Sequence, residues 1–185
     1  MGTFIKLIIL RTRYKILTND TYYFITSTIV NWIPIFTNEK YYDILINAIK
    51  FYQSKKSLEI IAYVFLPDHF HLIVKSKELV KTIRLIKMFS AKEIIKQLNI
   101  DNKSQILSQL KQNKKDYKTN SDYQVWQEGF LPKEILNDEM LNQKIEYIHY
   151  NPVKKGLVTE PSEWKYSSAG IYEKGEQGII KLDLE

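Results

Sequence analysis

The chain has 185 residues, 44% of them hydrophobic and 26% charged, which predicts a single folded domain over residues 1–185 and excludes an intrinsically disordered chain. It contains no cysteine, which excludes disulfide bonds and thiolate metal ligands and is typical of a cytoplasmic protein, and no apolar run approaches the roughly 20 residues of a membrane span or has the form of a signal peptide. The formal net charge of +6 favours a polyanionic partner such as nucleic acid.

The first half of the chain predicts a strand, a helix and a β-hairpin. Residues 22–30 are rich in the aromatic and β-branched side chains that favour strands. After a loop, Thr37 or Asn38 can cap a helix whose apolar residues recur at helical spacing. Two apolar runs within residues 58–75 flank a Leu-Pro-Asp turn and predict the hairpin. Residues 1–20 contain only a short apolar piece followed by a turn signal.

The second half predicts two long helices and one more strand. An apolar stripe over residues 79–98 is typical of an amphipathic helix, and residues 101–121 predict a weak helix followed by a mobile loop. Residues 123–130 predict a strand that kinks at its glycine. A polar cluster at 137–139 can cap a last helix, which Pro152 is expected to end.

The predicted elements follow one another as strand, helix, strand, strand, helix, strand and helix. Two strand-helix-strand units in this order close into one sheet. We therefore predict a ferredoxin-like α+β domain, in which a four-stranded, mainly antiparallel sheet carries its helices on one face.

Two of the three histidines open the second strand of the hairpin. Side chains alternate between the faces of a strand, so His69 and His71 point to one face and Phe70 points to the other. Two neutral imidazoles beside a turn form part of a divalent-metal site that lacks a further oxygen or nitrogen ligand. On spacing alone, the alternative is a pair of half-buried histidines with ordinary hydrogen bonds.

The positive charge is concentrated in one region. Residues 75–118 contain twelve Lys or Arg and four acidic residues, a net charge of +8. Lys81, Arg84 and Lys87 follow one another at three-residue spacing and can line one face of the predicted helix, which suits contact with a phosphate backbone. The alternative is an ordinary solvated helix face.

Several motifs resemble one protein family. Residues 66–74, 123–130 and 147–158, in this order, are similar to segments of the IS200-like transposases, most of all to the branch called REP-associated tyrosine transposases. Residues 163–168 also resemble that branch, so the similarity extends over about residues 20–172. Three motifs in the right order are far more specific than one. The family's fold agrees with the predicted order of elements.

The resemblance implies an HUH nuclease, named for its His-hydrophobic-His motif, with a single catalytic tyrosine. His69 and His71 would hold Mg²⁺ or Mn²⁺, and Tyr147 would be the nucleophile that cleaves single-stranded or hairpin DNA. A metal on a non-bridging oxygen neutralises charge at the phosphate, and it helps a tyrosine hydroxyl that normally ionises near pH ~10 to attack. The expected product is a 5′-phosphotyrosine with a free 3′-hydroxyl that can join another strand.

Asn151 is the third metal ligand that the resemblance suggests. It follows Tyr147 by four residues, hence by one turn of the same helix face, where relatives often carry a polar ligand. The alternative is that Asn151 caps the helix before Pro152. Tyr150 is a rival nucleophile. Asp68 replaces the Asn that many family members carry before the histidines, and it could add charge near the metal.

Other functions stay open at this point. A domesticated relative could bind DNA hairpins without cleaving them, and a small metal-dependent phosphohydrolase acting on nucleotides would need neither the tyrosine nor the basic helix. The resemblance also allows a homodimer, and in some members of the superfamily the two subunits exchange their tyrosine helices. Four aromatic residues are interpreted as core residues or as stacking platforms for unpaired bases: Tyr22, Tyr23, Trp126 and Trp164.

Overall fold

The computed structural model describes residues 21–117, 119, 121–129 and 132–184. The apolar piece and turn expected in residues 1–20 lie outside these ranges, as do Lys118 of the basic region and Phe130 of the second motif region. None of the helices in the described ranges is both long and apolar enough to span a bilayer.

One four-stranded sheet organises the structure. Its strands are β1 (Tyr22–Thr28), β2 (Glu59–Phe65), β3 (His69–Lys75) and β4 (Lys133–Ile135), in the spatial order β2-β3-β1-β4. Each neighbouring pair is antiparallel. The ferredoxin-like α+β prediction is confirmed, including the hairpin that β2 and β3 form.

Five α-helices in the described part of the chain accompany the sheet. They are α1 (Glu39–Ser54), α2 (Leu79–Ile100), α3 (Ser104–Gln112), α4 (Asp138–Lys154) and α5 (Ala169–Lys174). At the start of α4 the side chain of Asn137 accepts a hydrogen bond from the amide of Met140, as expected of the polar cluster there.

The helices lie on both faces of the sheet, so the prediction of helices on one face is wrong. On β3, Leu72 packs into the cluster that α1 and α2 cover, whereas Ile73 packs into a second cluster with Leu141 and Ile145 of α4. The reason is that nearly every side chain of β2 and β3 is buried and most of them are apolar, so both faces of these strands need a cover.

The prediction of a strand at residues 123–130 is also wrong. Its described residues, 123–129, make only an isolated bridge, between Trp126 and Ile29, and the fourth strand is the three-residue β4 farther along the chain. Trp126 instead lies in the core, edge-on to Phe70 at 5.5 Å between ring centroids, and its indole nitrogen donates to Ser90. Gly129, with φ 87°, then turns the backbone.

Helix α4 continues through Pro152 to Lys154, so Pro152 does not end it. A proline in the last turn removes only one amide donor, and backbone bonds from Lys155 to Asn151 and from Leu157 to Pro152 complete the helix end. Asn151 therefore lies inside the helix, one turn beyond Tyr147.

Candidate active site

His69 and His71 stand together on the α4 face of the sheet. Their ring centroids are 4.9 Å apart, and the residues are only 5% and 4% exposed. They form the floor of a cleft of about 620 Å³ between the sheet and α4. The cleft is lined by Phe24, Thr26, Trp32, His69, His71, Lys133, Lys144, Tyr147, Asn151 and Lys155.

Each imidazole is engaged through the same ring nitrogen. Nδ1 of His69 lies 2.5 Å from Oδ1 of Asp68, and Nδ1 of His71 lies 2.8 Å from Oγ1 of Thr26. An ionised carboxylate only accepts, so Nδ1 of His69 carries the proton and Nε2 keeps its lone pair. Nε2 of His71 is buried and has no hydrogen-bond partner among the described residues. A buried orphan nitrogen next to a second imidazole fits a metal ligand pair.

The electrostatics keep both imidazoles neutral at neutral pH. Burial lowers the pKa of His71 to about 3. The positive charge of Lys155, and that of His69 when it is protonated, act in the same direction. Burial also lowers the pKa of His69, although the hydrogen bond and charge of Asp68 oppose this. Neutral imidazole is the form that binds a metal ion.

Asp68 links the histidines to the positive charge of the cleft. Its carboxylate accepts from His69 and from the ammonium of Lys155, whose Nζ lies 3.1 Å from Oδ2. Burial alone would raise the pKa of Asp68, but the hydrogen bonds from His69 and Lys155 lower it overall. Asp68 thus contacts the Nδ1 side of His69, away from the nitrogen that is available for a ligand.

Tyr147 extends from α4 over the histidines. Its ring centroid is 5.4 Å from that of His71 and 5.8 Å from that of Phe24, and the residue is 40% exposed. Tyr150, the rival nucleophile, is half exposed but lines a neighbouring groove instead of the cleft.

Asn151 lies one turn after Tyr147, and it is 6% exposed in the cleft. Its amide nitrogen donates to the carbonyl oxygen of Tyr147 at 3.2 Å, so its side-chain oxygen is the atom left for a ligand. The interpretation of Asn151 as a helix cap is wrong, because the helix continues past it. Among the described residues, His, Cys, Asp and Glu form no group of three or more that could hold a metal ion.

Lysines around Tyr147 are functional candidates that the sequence interpretation missed. The ammonium groups of Lys144 and Lys154 lie 5.9 Å and 5.5 Å from the centroid of the Tyr147 ring. Three residues of α4 and the residue that follows the helix recur at intervals of three or four residues and line the cleft: Lys144, Tyr147, Asn151 and Lys155. This spacing was visible in the sequence, but it identifies the lysines as candidates only once Tyr147 is placed in the cleft.

The basic residues predicted to bind DNA lie elsewhere. Helix α2 packs on the opposite face of the sheet, through the cluster that contains Phe70 and Leu72. Arg84 and Lys87 line a groove of about 1100 Å³ between α2 and residues 121–129. Lys81 does not line this groove and pairs with Glu78 at 2.9 Å. All three lie on α2, away from the cleft.

Two comparisons find related proteins, although no family model matches the chain. A Haemophilus influenzae protein, provisionally named a REP-associated tyrosine transposase, is 30% identical over 110 residues, which are 60% of this chain and 58% of that protein. The alignment thus spans less than two thirds of the relative. A solved structure of a REP-associated tyrosine transposase bound to a REP hairpin superposes with a TM-score of 0.61 at 23% identity, covering 93% of each chain. The chain is therefore similar in sequence to that Haemophilus influenzae protein, and it shares the fold of the solved REP-associated tyrosine transposase.

Proposed function

We propose that this protein is a metal-dependent DNA nickase and strand transferase that acts on single-stranded or hairpin DNA through Tyr147. One observation carries the proposal. The exposed Tyr147 ring lies 5.4 Å from the ring of His71, whose buried Nε2 lacks a partner among the described residues, in a cleft lined with lysines. An aromatic hydroxyl, two neutral imidazoles and several cations are the groups that attack on a phosphodiester requires.

The proposed metal ligands are Nε2 of His69, Nε2 of His71 and the side-chain oxygen of Asn151. Mg²⁺ or Mn²⁺ held there supplies a Lewis acid for a non-bridging phosphate oxygen. The protein's part is to keep both imidazoles neutral and correctly oriented, which burial and the contacts from Asp68 and Thr26 support.

The reaction exchanges one phosphoester bond for another. The Tyr147 oxygen attacks phosphorus, its proton leaves to solvent, and the Oη–P bond forms while the P–O3′ bond breaks. The 3′-oxygen takes a proton from solvent and becomes a free hydroxyl. In the reverse direction a 3′-hydroxyl attacks the phosphotyrosine and the strands are joined, so no external energy source is needed. Lys144 and Lys154 stand where they can offset the negative charge that gathers at the phosphate.

The DNA contacts fall into two regions under this proposal. The cleft takes the unpaired strand that is cut, while Lys81, Arg84 and Lys87 of α2 contact phosphates on the other face of the sheet. The hairpin bound to the structural relative supports a folded DNA partner. In this arrangement a single hairpin DNA would have its cut strand on one face of the sheet and its stem on the other.

Covalent capture tests the proposal. Purified protein is mixed with labelled hairpin DNA from the repeats that flank its gene, with and without Mn²⁺, and run on a denaturing protein gel. We expect label to migrate with the protein only when metal is present, and to be lost in Tyr147→Phe. Tyr150→Phe, on the same helix but outside the cleft, is the matched control and should still capture DNA.

Each alternative function has its own outcome in this assay. Hairpin binding without covalent attachment, over several hairpins and metals, would replace the nickase with a DNA-binding protein. Phosphohydrolase activity on nucleotides that survives Tyr147→Phe would identify a different enzyme.

A further inference from the structure

Trp32 is an exposed aromatic residue at the mouth of the cleft. It is 54% exposed, its ring lies edge-on to His69 at 5.4 Å between centroids, and the ammonium of Lys155 is 5.7 Å from its ring. The other two tryptophans are placed differently. Trp126 is buried in the core, and the indole nitrogen of Trp164 donates to the carbonyl of Phe65.

The backbone holds Trp32 in an unfavourable conformation. Asn31 and Trp32 have φ values of 51° and 56°, in the left-handed region that a bulky side chain rarely adopts. Neighbouring backbone bonds maintain the turn, from Val30 to Val125 and from Ile29 to Asp68. The turn therefore holds an apolar ring out of the core, in solvent, beside the predicted metal ligands. Strain kept at such a place points to function and not to stability.

We propose that Trp32 is a stacking platform for an unpaired nucleobase of the strand in the cleft, that of the nucleotide next to the scissile phosphate. The inference rests on the proposed function and adds a binding site to it. Every base has a π-face, so an indole can hold it without reading its sequence. Lys155 and Lys133, which line the same cleft, suit the phosphates on either side of that base.

A purely structural role for the ring has to be separated from stacking. Trp32 could shield His69 from water or hold Lys155 through its π-face, and an aliphatic side chain would meet the first of these needs. Trp32→Leu keeps apolar bulk and loses the π-system, whereas Trp32→Phe keeps a smaller π-system. Phe51→Leu is the matched control, because Phe51 is also 54% exposed but lies on α1, outside the cleft.

The test measures binding of labelled single-stranded DNA in the Tyr147→Phe background, where no cleavage interferes. We expect Trp32→Leu to weaken binding about 5- to 100-fold, Trp32→Phe to keep most of the affinity, and Phe51→Leu to change nothing. An abasic residue is then moved along the strand. At the stacked position it should remove the difference between the Trp32→Leu variant and its parent, and DNA should quench indole fluorescence only while Trp32 is present.

Equal affinities of the Trp32→Leu variant and its parent would overturn the platform, as would a loss that no abasic position removes. The two proposals fail separately. If the wild-type chain never becomes attached to DNA but Trp32→Leu still weakens binding, the platform stands and the nickase falls. If attachment is normal and Trp32→Leu binds normally, only the platform falls. Unchanged Mn²⁺ affinity in Trp32→Leu shows that the histidines are undisturbed.

Discussion

Replacing Asp68 with alanine removes the carboxylate that orients His69. Its Oδ1 lies 2.5 Å from Nδ1 of His69, a short charge-assisted contact to a residue that is 5% exposed. Without it, the ring can adopt the tautomer with its proton on Nε2, the nitrogen proposed to bind metal. Loss of such an outer contact costs about 10- to 100-fold in metal affinity, or about 1.4–2.7 kcal/mol.

Isothermal titration of Mn²⁺ into the purified protein measures this loss. Asp68 raises the pKa of His69, so its removal makes protonation of His69 less favourable, not more. The weakened binding should therefore persist at pH 8, where a loss caused by protonation would vanish. Asp68→Asn keeps an oxygen that accepts from Nδ1, and should fall between Asp68→Ala and wild type.

The reasoning is refuted if Asp68→Ala binds Mn²⁺ as tightly as wild type, or if Asp68→Asn binds as poorly as Asp68→Ala. The first result would mean that His69 is oriented by packing alone. The second would mean that the charge at Asp68, through Lys155, matters and the hydrogen bond does not.

Three further predictions concern other parts of the molecule. Lys144→Gln should slow single-turnover cleavage roughly 10- to 100-fold while DNA affinity changes little, because its ammonium lies 5.9 Å from the centroid of the Tyr147 ring, where it can offset the charge of a phosphate attacked by that tyrosine; a cleavage rate and an affinity that fall by the same factor would count against a catalytic role. His149 is buried, and its Nε2 lies 2.8 Å from Oγ of Ser168. Burial lowers its pKa to about 3, so as the pH falls below 6.5 this imidazole is protonated in the unfolded chain before it is protonated in the folded protein. This one group should lower the free energy of unfolding by about 2 kcal/mol at pH 5, and denaturant titrations of His149→Gln should show a shallower pH dependence than wild type. Arg84→Gln should reduce the slope of log affinity for DNA against log salt by about 1, whereas an unchanged slope would place the DNA away from α2.

The sequence predicted the placement of side chains where it depends only on the two-residue alternation of a strand or the turn of a helix. Strand alternation put His69 and His71 on one side, and a four-residue interval put Asn151 one turn from Tyr147; the structure brings all four to one cleft. These predictions needed no knowledge of distant contacts. The roles of the four residues stay predictions until the covalent and metal assays are made.

Tertiary contacts explain what the sequence interpretation missed. Trp126 has a strand-like neighbourhood, but it joins the sheet only through an isolated bridge to Ile29, just beyond the end of β1, and β4 is too short to show a pattern. The unbroken apolar character of β2 was a usable sign of helices on both faces. Trp32 was not among the four aromatics considered for stacking, because nothing in a single sequence reveals a positive φ at a tryptophan.

Helix α4 carries Tyr147, Asn151 and Lys144, and it is anchored to the sheet by a short row of apolar side chains that includes Leu141 and Ile145. Because a helix moves largely as a rigid body, the positions of these three groups depend on the same apolar contacts with the sheet. A tilt of α4 away from β2 and β3 would withdraw the proposed nucleophile, one proposed ligand and one cation together. The proposed chemistry would then be lost or restored as a unit. A weakened anchor such as Ile145→Ala would act on all three groups at once, without touching the histidines on β3.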